Sequence, residues 1–293
     1  MSETEIVKNR YDFVYLFDCQ DGNPNGDPDF DNAPRFDPET FQGLVSDVCL
    51  KRKIRDYVAL LKSSNGAVEP GYRIFIMSGP TLESQQELPY DDLKIEPKTK
   101  DRGKIAEARA WMCKNFFDVR AFGAVMSTTD FNCGQVRGPV QITFARSFDR
   151  VFSTEHGITR VAYTTKEKAQ STTGSTEMGR KHTVAYGLYC THGFVNAAFA
   201  AQTGFTEADL AVLWIALKNM FDMDRSAARG LMCPRGLYVF KHSSALGEAQ
   251  AHKLFERIKV TKRPEVESPR SFDDYTVSVD EIDMPAGVTL LPL

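Results

Sequence analysis

The densest set of ligand-type side chains in this 293-residue chain runs Asp21-Gly-Asn23-Pro-Asn25-Gly26-Asp27-Pro-Asp29-Phe-Asp31-Asn32. Side-chain oxygens fall at its first, third, fifth, seventh and ninth positions and glycine at the sixth, the spacing of a calcium loop. That chemistry also needs a bidentate glutamate at position twelve, where Asn32 stands. Two prolines stiffen the run, and a strand rather than a helix precedes it. It reads as an Asx-rich turn network, with a divalent ion as the alternative. The carboxylates from Asp18 to Asp37 allow a second chemistry, a Mg²⁺-dependent cut of an RNA phosphodiester.

Cations form the next constellation. Leu50-Lys51-Arg52-Lys53-Ile54-Arg55 carries four of them within five positions of one helical stretch. At helical spacing Lys51 and Arg55 share one border of the apolar face, Lys53 takes the other border, and Arg52 points outward. With only Asp47 and Asp56 nearby, the group reads either as a solvated face or as a ridge for phosphates. Asn132-Cys-Gly134-Gln-Val-Arg137-Gly-Pro139 pairs small residues, which let a backbone approach a phosphate, with a cation that completes the contact. It is not a Walker loop, because no Gly-Lys-Ser/Thr follows. Met178-Gly-Arg180-Lys181-His182 joins an adaptable apolar side chain, suited to wedge beside an unstacked base, to two phosphate-binding cations. A plain turn with solvated charges fits that spacing equally.

Catalytic patterns are scarce. The five histidines show no metal-ligand spacing, and no nucleophile elbow or dinucleotide fingerprint is present. Six cysteines lie at irregular intervals with no Cys-x-x-Cys pair, so reduced structural thiols are expected. No catalytic residue, resident metal or cofactor is predicted.

These residues need elements to position them. Tyr11, Phe13, Tyr15 and Phe17 alternate with Asp12, Val14, Leu16 and Asp18, which predicts a strand over 10–18. A long Asp/Asn/Gly/Pro loop follows over 19–40, then a helix over 43–62 stopped by Ser63-Ser-Asn-Gly66, then a strand over 73–78. Residues 79–102 read as turn-rich, 104–116 as a helix, 118–137 as loops with short strands, and 139–147 as a strand. The stretch 148–182 has few large apolar residues after Tyr163 and should project as an arm or hairpin. A long strand with a bulge at Gly193 is expected over 184–199. A helix capped by Thr206 with Asp209 covers 206–220, and strand, helix and strand follow over 236–242, 246–258 and 275–279. This order indicates an α+β fold with helices on one face of a sheet, compatible with a ferredoxin-like or RRM-like core carrying two insertions.

Composition narrows the partners. Hydrophobic residues at 42% and charged residues at 26% suit a globular chain, and the net charge of −3 argues against indiscriminate coating of nucleic acid. The charge is polarised, acidic in the first forty residues and basic from Arg137 to Lys181. No apolar run approaches the ~18 residues of a membrane span. The polar opening Met1-Ser-Glu-Thr-Glu5 does not look like a targeting signal, so a cytoplasmic location and no membrane partner are expected.

Several segments resemble a known family. Asn23-Pro-Asn-Gly-Asp-Pro-Asp29, Gln42-Gly-Leu-Val-Ser-Asp-Val-Cys-Leu-Lys-Arg-Lys-Ile-Arg55, Asp118-Val-Arg-Ala-Phe-Gly123, Val136-Arg-Gly-Pro-Val-Gln-Ile142, Met178-Gly-Arg-Lys-His182 and Tyr186-Gly-Leu-Tyr189 are similar to the repeated backbone subunit of type I-C CRISPR Cascade. That subunit belongs to the Cas-seven family of the RAMP superfamily, and the similarity runs from about Tyr11 to about His242. The resemblance implies an RRM-like palm (1–78, 138–148 and 183–293), a helical fingers insertion (79–137) and an extended thumb hairpin (149–182). It implies a non-catalytic protein that binds crRNA, polymerises with copies of itself along the guide, meets other Cascade subunits and engages target DNA through the guide duplex. Gln42, Lys51, Arg52, Lys53 and Arg55 would then hold guide phosphates from the palm. Gly134 and Arg137 would support the strand beside the groove, and Met178, Arg180 and Lys181 would act at the thumb. Related subunits that cut RNA with an aspartate after the first strand make nuclease activity the rival reading.

Overall fold

The computed structural model describes residues 5–163, 165–167 and 177–293. Strand β1 (Tyr11–Gly22) is followed by a short ribbon of β2 (Gly26–Asp27) and β3 (Ala33–Pro34), then β4 (Gln42–Val45) and helix α1 (Asp47–Leu61). A second ribbon, β5 (Ser63–Ser64) with β6 (Ala67–Val68), turns the chain after α1. The middle holds α2 (Leu82–Leu93), α3 (Arg102–Asn115), α4 (Phe117–Phe122) and the ribbon of β7 (Gly123–Met126) with β8 (Gly134–Arg137). Then come β9 (Val140–Ile142), β10 (Ala145–Arg150), β11 (Ser153–Arg160) and β12 (Glu177–Val195). Helices α5 (Ala197–Thr203) and α6 (Glu207–Met223) precede β13 (Leu231–His242), α7 (Ala251–Phe255), β14 (Ile258–Lys262), β15 (Tyr275–Val279) and β16 (Val288–Pro292).

The fold is α+β, built on one antiparallel sheet in the order β16-β13-β1-β12-β10-β4, with β9 and β11 also paired to β12. β1 is the centre. Tyr11, Phe13, Tyr15 and Phe17 face α1 and α6, where Phe13 meets Trp214 edge-on at 5.2 Å and the Tyr15 hydroxyl donates to Leu217 O at 2.7 Å. Each fully buried ring contributes about 2 kcal/mol of transfer free energy, so this face holds the sheet to its helices.

Val14 and Leu16 point the other way and are buried too, against Phe240, Leu254 and the β14–β15 hairpin. The expectation of helices on one face is corrected: α1 and α6 cover the first face, but α7 packs with the β14–β15 hairpin on the opposite one. The buried acids of β1 keep partners: Asp12 accepts from His242 and Arg10, Asp18 from Arg235 and Tyr186.

The middle segment has its own apolar cluster, in which Phe75, Tyr90, Met112, Phe116 and Met126 pack together. Here the structure departs from the sequence pattern. Residues 73–78 make a single bridge, Arg73 to Phe116, instead of a strand. The Asp118 carboxylate takes the Phe75 and Ile76 amides at 2.7 and 3.0 Å, so no neighbouring strand can. The turn-rich reading of 79–102 missed α2, which a Thr81 cap starts and which continues through Pro89. The helix over 246–258 shrinks to α7, and residues 139–147 divide between β9 and β10.

No bulge occurs at Gly193. The β1/β12 register is continuous there, and the glycine makes room for the Phe13 ring, because a Cβ would stand 1.9 Å from its Cζ. The register shift falls instead between β1 and β13, at Leu16/Phe17. No helix among the described residues is long and apolar enough to cross a membrane.

Candidate nucleic-acid interface

The Asp/Asn loop is a brace. Asn25 Oδ1 accepts from the Ser46 amide at 2.9 Å and from its hydroxyl at 2.8 Å, and Ser46 caps α1 through Cys49 N. Asn23 Nδ2 donates to Asn32 O at 2.6 Å, and Asp27 takes the Asp29 amide. The Asp27–Asp29 contact is an Asx turn, while the Asn23 and Asn25 contacts are longer-range and tie the loop to itself and to α1. Among the described residues no three His, Cys, Asp or Glu side chains converge as a metal site.

Helix α1 carries its cations differently from a free ridge. Lys51 pairs with Asp47 at 3.1 Å, and Arg52 reaches both Asp56 and Asp224, the latter through two contacts of 3.1 Å. Lys53 is fully buried, lies over the Phe221 ring and pairs with Asp224. Arg55 is buried too, donating through Nε to Asp118 at 2.8 Å above the Phe122 ring. The expectation of uncompensated charge on this helix is therefore corrected. Asp118 and Asp224 lie far away in sequence and neutralise it, because a buried cation is stable only with a partner. Arg52 keeps a partly exposed side chain at 42%, Lys51 is mostly covered at 12%, and Lys53 and Arg55 are locked inside.

Asp224 follows α6 at its C-cap and gathers Lys53, Arg52 and Arg229. Burial alone would raise its pKa, but the hydrogen bonds and charges of Lys53 and Arg52 outweigh burial and hold it below the ordinary carboxylate value. Burial also pulls the Lys53 amine down. The two directions compete, and the shared carboxylate, facing three cations, stays ionised.

The basic arm is a two-stranded ribbon. Pairing of β12 with β1 ends at Val184, and beyond it β12 pairs with β11 alone, from Ser153↔Val184 outward. Every residue of β11 is exposed. Residues 164 and 168–176 of the expected thumb lie outside the described residues. Met178 stands almost free at 80% exposure, Arg180 makes an exposed pair with Glu155 at 3.2 Å, and Lys181 is half-buried across from His156. His182 approaches Asp31 at 3.5 Å, which ties the Asp/Asn loop to the arm's root.

At that root the structure assembles what the sequence did not reveal. Phe36 and Phe41 stack at 5.9 Å with an interplanar angle of 9°, and Phe152 extends the stack at 6.4 Å. All three rings are exposed. Phe41 holds a left-handed backbone (φ 59°), fixed by its amide on Asp37 O and by Val151 N on its carbonyl. A β-carbon in that region is strained by about 1 kcal/mol or more, so the loop sustains strain to present this ring. The only sequence signal was a pair of phenylalanines in an otherwise polar loop.

A cleft of about 820 Å³ opens beside the stack, lined by Gln42, Arg150, Phe152, Tyr186, Lys262 and Arg270 among others. Gln42 lies at this cleft on β4, not at the helix start, and donates to Ser147 O at 2.9 Å. Gly134 and Arg137 lie apart from it, on β8, where Arg137 covers the Phe199 ring at 4.4 Å. The predicted residues thus fall into three groups: the α1 network, the arm with its root, and the β8 strand.

Comparison with known proteins places the chain. The family model described as CRISPR-associated protein Cas7 matches residues 9–280. A curated relative, CRISPR-associated protein Cas7 of Haloferax volcanii, is 30% identical over 236 residues, which are 72% of this chain and 65% of the relative. The chain thus spans slightly under two thirds of that relative's length. Among solved structures, a chain of a CRISPR RNA-guided surveillance complex in a pre-nicking state aligns at 15% identity with a TM-score of 0.49, covering 79% of this chain and 78% of that one. Another CRISPR RNA-guided surveillance complex gives 16% identity and a TM-score of 0.42, covering 78% and 68%. With the family model spanning nearly all of its length, this chain belongs to the CRISPR-associated protein Cas7 family.

Proposed function

We propose that this chain is the crRNA-binding backbone subunit of a type I-C CRISPR Cascade complex, polymerising along the guide and presenting it to target DNA in antiviral defence. The observation that carries this reading, beside the family membership, is the exposed β11–β12 ribbon with a solvent-facing aromatic stack at its root. A ribbon that pairs only with itself buries little, so its use lies in what it reaches. Exposed rings next to a polar cleft suit unstacked bases, and the cations of the arm suit phosphates, without reading sequence.

The topology supports the palm, fingers and thumb division. β1, α1, β10, β12, α6 and β13 follow one another as a split βαβ pair with spatial order β13-β1-β12-β10, the pattern of an RRM-like, ferredoxin-like palm. The separate apolar cluster under α2 and α3 fits a fingers insertion over 79–137, and the ribbon fits a thumb over 149–182. Arg52 is the α1 cation with its side chain at the surface, Lys51 lies mostly covered beside it, and Lys53 and Arg55 shape the groove from beneath. The partners are crRNA, target DNA through the guide duplex, further copies of the chain and other Cascade subunits, met in the cytoplasm.

The test is binding of purified protein to a labelled guide-length RNA across a salt series with Mg²⁺. Cooperative, sequence-tolerant binding that weakens with salt and leaves the RNA intact is expected. Replacing Phe41 and Phe152 by alanine should lower affinity about tenfold or more, given ~1–3 kcal/mol per stacked base. Absence of binding at low salt would end this reading. RNA cleavage lost in Asp37→Ala would establish the Mg²⁺-dependent endoribonuclease instead, although Asp37 is engaged by Arg146 at 2.8 Å.

A further inference from the structure

One cleft, away from the arm and from the α1 network, has the make-up of an anion site. It lies where α3, β8 and α5 meet, holds about 400 Å³, and is lined by Arg109, Gln135, Arg137, Gln202, Thr203 and Cys113 among others. No carboxylate lines it. Arg109 and Arg137 are both exposed, and among the described residues neither has an ion-pair partner, in contrast to every cation of α1 from Lys51 to Arg55. Two like charges at one opening repel each other, and a bound anion relieves that repulsion.

The cleft is built around them. The Arg137 guanidinium carbon lies over the Phe199 ring, 4.4 Å from its centroid, a contact that holds the cation without neutralising it. Gly134 has a left-handed φ of 72°, and a Cβ there would stand 3.7 Å from a terminal nitrogen of Arg109, so the side chain lies along the bare strand. At the floor Thr203 is 6% exposed, and its hydroxyl is buried with no hydrogen-bond partner. Such an orphan costs about 1–3 kcal/mol, which a phosphate oxygen would recover. Burial pushes the Cys113 thiol up to about 11, so it brings no negative charge. The C-terminal end of α5 opposes an anion with at most about half a charge, against two full positive ones.

We infer that Arg109, Arg137 and Thr203 form a second, phosphodiester-binding subsite that grips one backbone phosphate of a nucleic-acid strand. Gln135 and Gln202 supply neutral donors at its rim. The inference rests on the nucleic-acid-binding function proposed above and adds a contact at the junction between the middle segment and the sheet.

The experiment compares wild type, Arg109→Ala/Arg137→Ala and Thr203→Val for binding of guide-length RNA over a salt series. It then compares the RNA-loaded proteins for capture of a complementary DNA strand. The arginines are exposed, and valine matches threonine in volume, so melting temperatures serve as the fold control. The double variant should lose about tenfold in affinity and flatten the salt slope by about 0.7, the share of one single-strand phosphate. Thr203→Val should lose a few-fold. A defect with RNA alone assigns the phosphate to the guide, and a defect only at DNA capture assigns it to the target strand. Equal affinity and slope in both arms, with wild type binding normally, overturn the subsite while leaving the general function standing. Wild type that binds no RNA overturns the function itself.

Discussion

Removing the Asp118 carboxylate tests whether Arg55 is structural or waits for RNA. Asp118 is 1% exposed and receives three donors, Arg55 Nε at 2.8 Å, Phe75 N at 2.7 Å and Ile76 N at 3.0 Å. Asp118→Ala leaves a buried guanidinium without its anion, which costs about 3–5 kcal/mol. It also orphans the buried Phe75 amide, while Ile76 is exposed enough to find water. These losses overlap, so about 4 kcal/mol is expected for the sum. At roughly 2–4 °C per kcal/mol for a chain of this size, the melting temperature should fall by about 8–16 °C. Asp118→Asn keeps an acceptor and loses the charge, so it should cost about half as much. Arg55→Met with Asp118→Leu removes both charges and should recover part of the loss, because apolar replacements of a buried pair are often near neutral. Near-ultraviolet circular dichroism melts and urea titrations give the numbers. If Asp118→Ala melts within about 2 °C of wild type while Arg55→Ala melts normally yet loses RNA, Arg55 is a free phosphate ligand and the reasoning fails.

Other outcomes follow from the same geometry. Asp224 is held below its ordinary value of 3.8, so its contribution is complete above that value and is lost as pH falls through the folded value. The melting-temperature gap between wild type and Asp224→Asn should therefore be constant above about pH 5 and close at lower pH; a gap that widens on acidification would contradict the assignment. Gly193→Ala places a methyl 1.9 Å from the Phe13 ring, and overpacking should cost about 1–3 kcal/mol, read as a lower urea midpoint. Burial raises the thiols of Cys19, Cys133 and Cys190 to about 12 and that of Cys113 to about 11. Iodoacetamide at pH 8 should therefore leave Cys19, Cys113, Cys133 and Cys190 unmodified in the native protein, as peptide mass spectrometry will show.

Local signals survived the passage from sequence to structure better than long-range ones. The Thr206/Asp209 box caps α6 as its spacing required, and the aromatic alternation marked β1. Both signals lie within a few residues of what they control. The α1 cations read as a ridge because Asp118 and Asp224, their partners, stand far down the chain. The apolar run Ile74-Phe-Ile76 looked like a strand, but which group takes its amides is decided by the same distant Asp118. Pro89 hid α2, since proline argues against a helix interior and nothing local announces that packing will accommodate it. The stack of Phe36, Phe41 and Phe152 was invisible for another reason: its third ring arrives from the connection between β10 and β11, more than a hundred residues away.

One continuous strand serves both as the arm and as the neighbour of β1. β12 runs 19 residues, about 60 Å at ~3.3 Å per residue, and its inner part is laddered to β1 from Val184 to Val195. A tug on the arm along its axis loads that ladder in shear, so the rungs share the force and must give way together. A sideways tug instead peels the rungs one at a time, starting at Val184. The arm is therefore a stiff handle in one direction and a hinged one in the other, and the ease with which it is bent aside need not reflect how firmly it is rooted.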